Sequence, residues 1–221
     1  MTGVFLQVRL DSRRLPEKAL AQLGGITLLE RCCQALASIP AQVKAVLTEP
    51  ASEIRLRPLV ESCGWQLFVG SKEDVLGRFT SAASTFGVTR IVRATGDNPF
   101  VNAKLATLLL KDANAHEADY ASWQGAPIGT GVELLKTEAL REVQASEPTI
   151  EEQEHVAPHL YHHPERFVLY RPEVPTSWRS QGRVTVDTPE DLAWVRRLWN
   201  ELGPQVYEME TLVKWLETHS R

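Results

Sequence analysis

Five short apolar runs, four of them followed by a segment of helical length, leave this chain few architectures to fold into. The runs are Val4–Val8, Val43–Leu47, Gln66–Val69, Thr89–Arg93 and Asp119–Ser122. Between them, apolar residues at i, i+3 and i+4 spacing predict helices at about Leu28–Ala37, Ala51–Cys63, Val75–Phe86 and Ala103–His116. Crossovers of helical length join parallel neighbours, so the alternation predicts an α/β fold: a mostly parallel sheet covered on both faces. Beyond the Gly-rich stretch Gly125–Gly131, helices are expected near Lys136–Gln144 and Ile150–His163, with strands at Phe167–Tyr170 and Arg183–Val186. A helix from Pro189 and a last one carrying Leu212, Trp215 and Leu216 close the chain. No repeat or Pro/Ser-rich linker divides the 221 residues, so residues 1–221 are expected to be a single domain.

The first run stops at a dense basic loop. Arg9, Arg13, Arg14 and Lys18 fall within ten residues of a chain whose formal net charge is -4. Positive charge gathered against the global sign points to a local anionic ligand. The loop also sits at the carboxyl end of a buried strand, where open α/β sheets bind ligands. Pro16 fixes its own φ and biases Leu15 to an extended shape, which stiffens the turn carrying the cations.

Two acids occupy comparable positions. Asp97 follows the run Thr89–Arg93 in Arg93-Ala94-Thr95-Gly96-Asp97-Asn98-Pro99, where Gly96 is expected to allow a sharp turn. Asp187 precedes Thr188-Pro189-Glu190-Asp191, in which Thr188 caps a helix, Pro189 takes its first position and Asp191 the capping-box position. The cap leaves Asp187 spare at a strand end. Two carboxylates beside several cations suit a magnesium polyphosphate, with oxygens on the metal and Arg or Lys on the phosphates.

Other phosphate devices are missing from the sequence. There is no G-x-x-x-x-G-K-[ST], no G-x-G-x-x-G after the first strand and no Asp-x-Asp. His155, His159, His162 and His163 are read as one helix, a rival zinc site if a third ligand arrives from elsewhere, though Pro158 interrupts it and H-E-x-x-H is absent. Cys32 and Cys33 look core-facing and inert, and Trp194, Trp199 and Trp215 read as packing. Three cysteines without C-x-x-C spacing and no apolar run of bilayer length predict a reduced cytoplasmic protein, not a membrane one. A sequence pI near 5.9 without a basic stripe argues against nucleic acid as a partner.

The segment Gln7 to Leu20 has the form Q-x-R-x-x-S-x-R-L-P-x-K-x-L and resembles the SpsF-type cytidylyltransferases of spore-coat polysaccharide biosynthesis, relatives of the CMP-KDO and CMP-sialic acid synthetases. The resemblance continues through Val69–Phe79, Arg93–Pro99, Glu154–Tyr161 with His163–Phe167, and Val184–Leu192, in order along nearly the whole chain. It implies a nucleotide-diphospho-sugar transferase-like, Rossmann-like fold. It also implies CTP-dependent activation of a sugar or sugar-acid acceptor, with magnesium as cofactor and a homodimer as the family-level expectation. On the matching positions, Arg9, Ser12, Arg14 and Lys18 would contact phosphates, Arg14 and Lys18 with a catalytic role. Ser71 would lie in the segment lining the base, Asp97 and Asp187 would hold the metal, and Glu133 would face the acceptor.

The chain departs from that pattern at Asp11 and Glu17, which bring negative charge into the loop, at Gly131, where relatives often carry aspartate, and at Gln153, which replaces a common arginine. Two other readings stand beside the cytidylyltransferase. One is a glycosyltransferase using a sugar nucleotide, against which the missing Asp-x-Asp counts. The other is a non-catalytic nucleotide-binding partner.

Overall fold

The computed structural model describes residues 1–219. Its strands are β1 (Thr2–Gln7), β2 (Gln22–Leu23), β3 (Ile26–Thr27), β4 (Val43–Thr48), β5 (Gln66–Val69), β6 (Arg90–Thr95), β7 (Tyr120–Ser122), β8 (Glu133–Lys136) and β9 (Leu169–Tyr170). The α-helices are α1 (Leu28–Leu36), α2 (Pro50–Ser62), α3 (Val75–Phe86), α4 (Ala103–Ala115), α5 (Thr137–Ala145), α6 (Ile150–His155), α7 (Pro158–His162), α8 (Pro189–Leu202) and α9 (Met209–Thr218). Seven strands make one sheet in the order β5-β4-β1-β6-β8-β7-β9, while β2 and β3 form a separate hairpin. Only β8 runs against the others, pairing antiparallel with β6 and β7. The α/β fold with a mostly parallel sheet is therefore observed.

Alternation along β1 sorts the core into two layers. Val4 and Leu6 face the cluster containing Leu29, Leu36, Leu56 and Leu109 from α1, α2 and α4. Phe5 faces the other side, against Phe79 of α3, Leu140 of α5 and Leu160 of α7. Each side chain is fully enclosed, and burying one of this kind is worth roughly 1.5–3 kcal/mol. A third cluster joins Leu28 and Phe100 to Val184, Val186, Leu198 and Leu212, and fastens α8 and α9 beside the carboxyl end of the sheet.

The strand order sets the site. From β1 the chain moves outward through β4 to β5, then returns to place β6 on the opposite side of β1. The crevice at the carboxyl ends of β1 and β6 is thus the switch point of the sheet. Gly96 closes it. A Cβ there would stand 2.8 Å from Val8 Cγ2 and 3.3 Å from the Gln7 carbonyl oxygen, so the residue is small for close approach and its φ is not positive. The sharp turn expected there is present, with Asn98 N donating to the Thr95 carbonyl at 3.1 Å.

Three expectations change. The His-rich segment is two short helices, because Val156 takes φ 70° between α6 and α7, and His163 lies beyond the second. Residues 183–186 form no strand; one isolated bridge joins Ile128 and Arg183. Strand β8 was not expected: Leu134 and Leu135 are buried on opposite faces, so no alternation marks it. The cap read at Thr188 is present, with Pro189 at the first helical position and Asp191 completing a capping box.

Candidate active site

The basic loop is held at both ends. Val8 N donates to the Leu47 carbonyl at 3.0 Å, Leu10 N donates to Ser52 Oγ at 3.0 Å, and Glu17 N donates to the Leu10 carbonyl at 3.0 Å. Ser52 in turn donates to the buried Glu49 carboxylate at the start of α2. The loop closes on itself at Glu17, whose φ of 56° turns the chain into the short helix Lys18–Leu20 and aims Lys18 inward.

Lys18 Nζ meets three acceptors. It donates to Asp97 Oδ2 at 3.1 Å, to Asp187 Oδ1 at 3.1 Å and to the Val186 carbonyl at 2.9 Å. The two carboxylate oxygens on that ammonium are therefore at most about 6 Å apart. Asp97 is steadied from its own turn, since Thr95 Oγ1 donates to Asp97 Oδ1 at 2.6 Å. Val186 N donates to the Asp97 carbonyl at 2.8 Å and joins the β6 loop to the segment before α8. Arg14 reaches Asp187 Oδ1 at 3.1 Å and Arg183 pairs with its other oxygen. Burial pushes the Asp187 pKa up, but Lys18, then Arg14 and Arg183, outweigh it and hold the carboxyl below its ordinary value.

Arg14, Lys18, Asp97 and Asp187 line a cleft of about 750 Å³. Six cations (Arg9, Arg13, Arg14, Lys18, Lys72, Arg93) face four acids (Asp11, Asp97, Glu154, Asp187), an excess of positive charge opposite to the chain's net sign. A polyanion fits that balance. Ser12 also lines the cleft. Ser71 does not: its hydroxyl accepts from Asp74 N at 3.0 Å, its carbonyl accepts from buried Arg78 at 2.6 Å, and neighbouring Lys72 reaches the cleft instead.

The two loop acids separate. Glu17 turns away and pairs with Arg55 of α2 through both oxygens. Asp11 stays in the wall, 2.6 Å from Lys72 and 3.5 Å from Arg9, and the Lys72 contact holds its pKa low. Sequence reading passed over Arg93, Glu154 and His155 as cleft residues. Glu154 and His155 arrive on α6, and Glu154 lies 3.7 Å from Arg9. The folding back of a distant helix leaves no local signal.

Arg93 bridges to a second recess of about 340 Å³ that includes Asn98, Trp123, Gly131 and Glu133. Its guanidinium pairs with Glu133 and donates to Gln7 Oε1 at 3.1 Å, while Tyr120 OH donates to Glu133 at 3.0 Å. A Cβ on Gly131 would meet nothing within 4 Å, so that residue borders open space. The recess adjoins the cleft through Arg93 and Thr95, so one reactant can stand in each.

The paired acids offer oxygen donors only, the set a hard divalent cation takes when it shares its shell with phosphate oxygens. Asp97 and Asp187 therefore supply the donor type such an ion takes, while Lys18 holds the place between them in this structure. Among the described helices, none is long and apolar enough to cross a membrane.

A cytidylyltransferase family model matches residues 4–214. The spore coat polysaccharide biosynthesis protein SpsF of Bacillus subtilis is 29% identical over 207 residues, 90% of this chain and 86% of SpsF. A cytidylyltransferase from Leptospira borgpetersenii superposes with a TM-score of 0.88 at 23% identity, covering 100% of this chain and 98% of that one. A CMP:2-keto-3-deoxy-manno-octonic acid synthetase complexed with CTP gives 0.71 at 15% identity, over 90% and 98% of the two chains.

Proposed function

The chain belongs to the cytidylyltransferase family, and from that premise we propose that it transfers the cytidylyl group of CTP to a sugar or sugar-acid acceptor, with magnesium as cofactor. The observation that carries the reading is Lys18 Nζ set between Asp97 and Asp187 in a cation-rich cleft at the switch point of the sheet. Residues 1–221 act in it as one domain, in the cytoplasm. SpsF, by its name, serves spore coat polysaccharide biosynthesis, and we assign this chain to surface polysaccharide precursors of that kind.

In this mechanism the acceptor oxygen attacks the α-phosphorus of CTP. The bond from that phosphorus to the bridging oxygen breaks, pyrophosphate leaves with the electron pair, and the acceptor's proton passes to solvent. Arg9, Ser12, Arg14 and Lys18 hold the phosphates, and the Ser71 segment borders the base. Arg14 and Lys18 take up the charge that grows on pyrophosphate, so most of the rate comes from positioning and charge stabilisation. Asp97 and Asp187 would hold the magnesium, which would supply neutralisation of phosphate charge and a lowered pKa of the attacking hydroxyl. Glu133, fixed by Arg93 and Tyr120, orients the acceptor in the adjoining recess.

The test is thermal unfolding with CTP, UTP, ATP, GTP and UDP- or GDP-sugars, with and without magnesium, followed by pyrophosphate release across an acceptor panel. A ligand at a hundred times its Kd adds about 2.7 kcal/mol of stability. A magnesium-dependent shift with CTP, and pyrophosphate release with one acceptor class, is expected. A shift with sugar nucleotides alone would replace this reading with a glycosyltransferase, and CTP binding without turnover on any acceptor would leave a binding module.

A further inference from the structure

Away from the cleft, the corner between α6 and α7 gathers a second set of donor groups. The turn at Val156 folds the chain back so that Glu152 Oε1 lies 2.9 Å from His159 Nδ1. His163 stacks on His159 with ring centroids 4.4 Å apart. One ligand atom from each of the three residues lies within 4.8 Å of the others. Ligand atoms around a four-coordinate zinc ion stand roughly 3.3 Å apart, so a rotation of the half-exposed His163 ring closes the set. We propose that Glu152, His159 and His163 form a binding site for a zinc-class transition-metal ion, separate from the Asp97–Asp187 pair.

Hydrogen bonding alone leaves this corner incomplete. His159 is 8% exposed, yet among the described residues its buried Nε2 has no hydrogen-bond partner. Glu152 Oε1 meets the other ring nitrogen, Nδ1, and that is the nitrogen able to share an ion with this oxygen. The remaining groups are arranged as ligands require. Glu152 Oε2 is spent on the α6 capping box, accepting from Thr149 N at 2.8 Å and Thr149 Oγ1 at 3.0 Å, which leaves Oε1 to the histidines. Glu165 Oε1 lies 3.1 Å from His163 Nδ1, the outer carboxylate that fixes a ligating imidazole with its other nitrogen free. Among the described residues, neither Glu152 nor His163 pairs with a lysine or arginine that would compete for the site.

Two imidazoles and one carboxylate suit zinc, cobalt or nickel, whereas the all-oxygen pair in the cleft suits magnesium. The ion would tie α6 to α7 across Val156. Glu154 and His155, in the same corner, line the cleft, so occupancy would fix one of its walls.

The test uses the full chain and cobalt(II) alone, followed by calorimetric titration and visible absorption. Uptake of one ion with the intense absorption of a four-coordinate, nitrogen-containing site is expected, and it should persist in a D97A/D187A variant. Glu165→Gln should weaken cobalt 10- to 100-fold, and His163→Asn at least as much. Both side chains are substantially exposed, 64% and 40%, so both variants should fold as wild type by circular dichroism. No uptake, or uptake that survives His163→Asn and Glu165→Gln but is lost in D97A/D187A, would overturn the proposal.

Discussion

Lys18 and Asp187 stand 169 positions apart in the chain and 3.1 Å apart in space, and the same ammonium reaches Asp97 at 3.1 Å. One cation thereby gathers the basic loop, the β6 loop and the segment before α8. Two carboxylates this close repel each other unless a cation neutralises them. Lys18 supplies that charge within the protein, and the short helix Lys18–Leu20 sets where the charge sits.

Replacing Lys18 with alanine should therefore damage function more than folding. Turnover should fall on the order of a hundred- to a thousand-fold, the usual cost of one group that stabilises transition-state charge. Asp187→Ala should lose turnover similarly, with both far-UV spectra unchanged. Steady-state pyrophosphate release checks this, and near-wild-type kcat in either variant removes that residue from the mechanism.

Acid should dissolve the same cluster in a defined window. Asp187 has a folded pKa below its ordinary value, so its contribution to stability is complete above the unfolded value of about 3.9 and is lost as pH falls through the folded one. Denaturant unfolding of wild type and Asp187→Asn should show a gap that is constant from pH 8 to about pH 5 and shrinks below about pH 4. A gap that widens on acidification would reverse the sign assigned to Asp187.

Gly96 makes the crevice narrow, and its substitution tests whether that closeness matters. An alanine Cβ would press on Val8 and on the Gln7 carbonyl, which is backbone and cannot swing away. Gly96→Ala should destabilise by about 1–3 kcal/mol, the usual cost of overpacking, and should weaken CTP binding as the ends of β1 and β6 part. Chemical denaturation and nucleotide titration on the same variant separate the two effects.

Much of this was legible because it is local. The runs at β1, β4, β5 and β6 carry their apolar pattern in four to six residues, and the Thr188 cap is written in four. Asp97 and Asp187 could be picked out because each ends a segment with turn chemistry. The cleft's far wall could not. Glu154 and His155 reach it on α6, which ends in a γ-turn at Val156, φ 70° and ψ -52°, closed by Ala157 N donating to the His155 carbonyl at 2.8 Å. No local sequence signal marks such a turn at a β-branched residue. Strand β8 was hidden for the opposite reason: burial on both faces erases the period of two.

Gly131 offers the sharpest test of the acceptor recess. It borders open space, its φ is not positive, and an added Cβ meets nothing within 4 Å, so Gly131→Asp should change stability by less than about 0.5 kcal/mol. The new carboxylate enters a recess where Arg93 is already paired with Glu133, and it finds no cation there to neutralise it. An acidic acceptor should then lose affinity while a neutral one is little affected, and the KM for CTP, which the proposed function places in the adjoining cleft, should hold. Pyrophosphate release measured against both substrates in turn reads this directly. A rise in the KM for CTP with the acceptor KM unchanged would move Gly131 out of the acceptor site and into the nucleotide site.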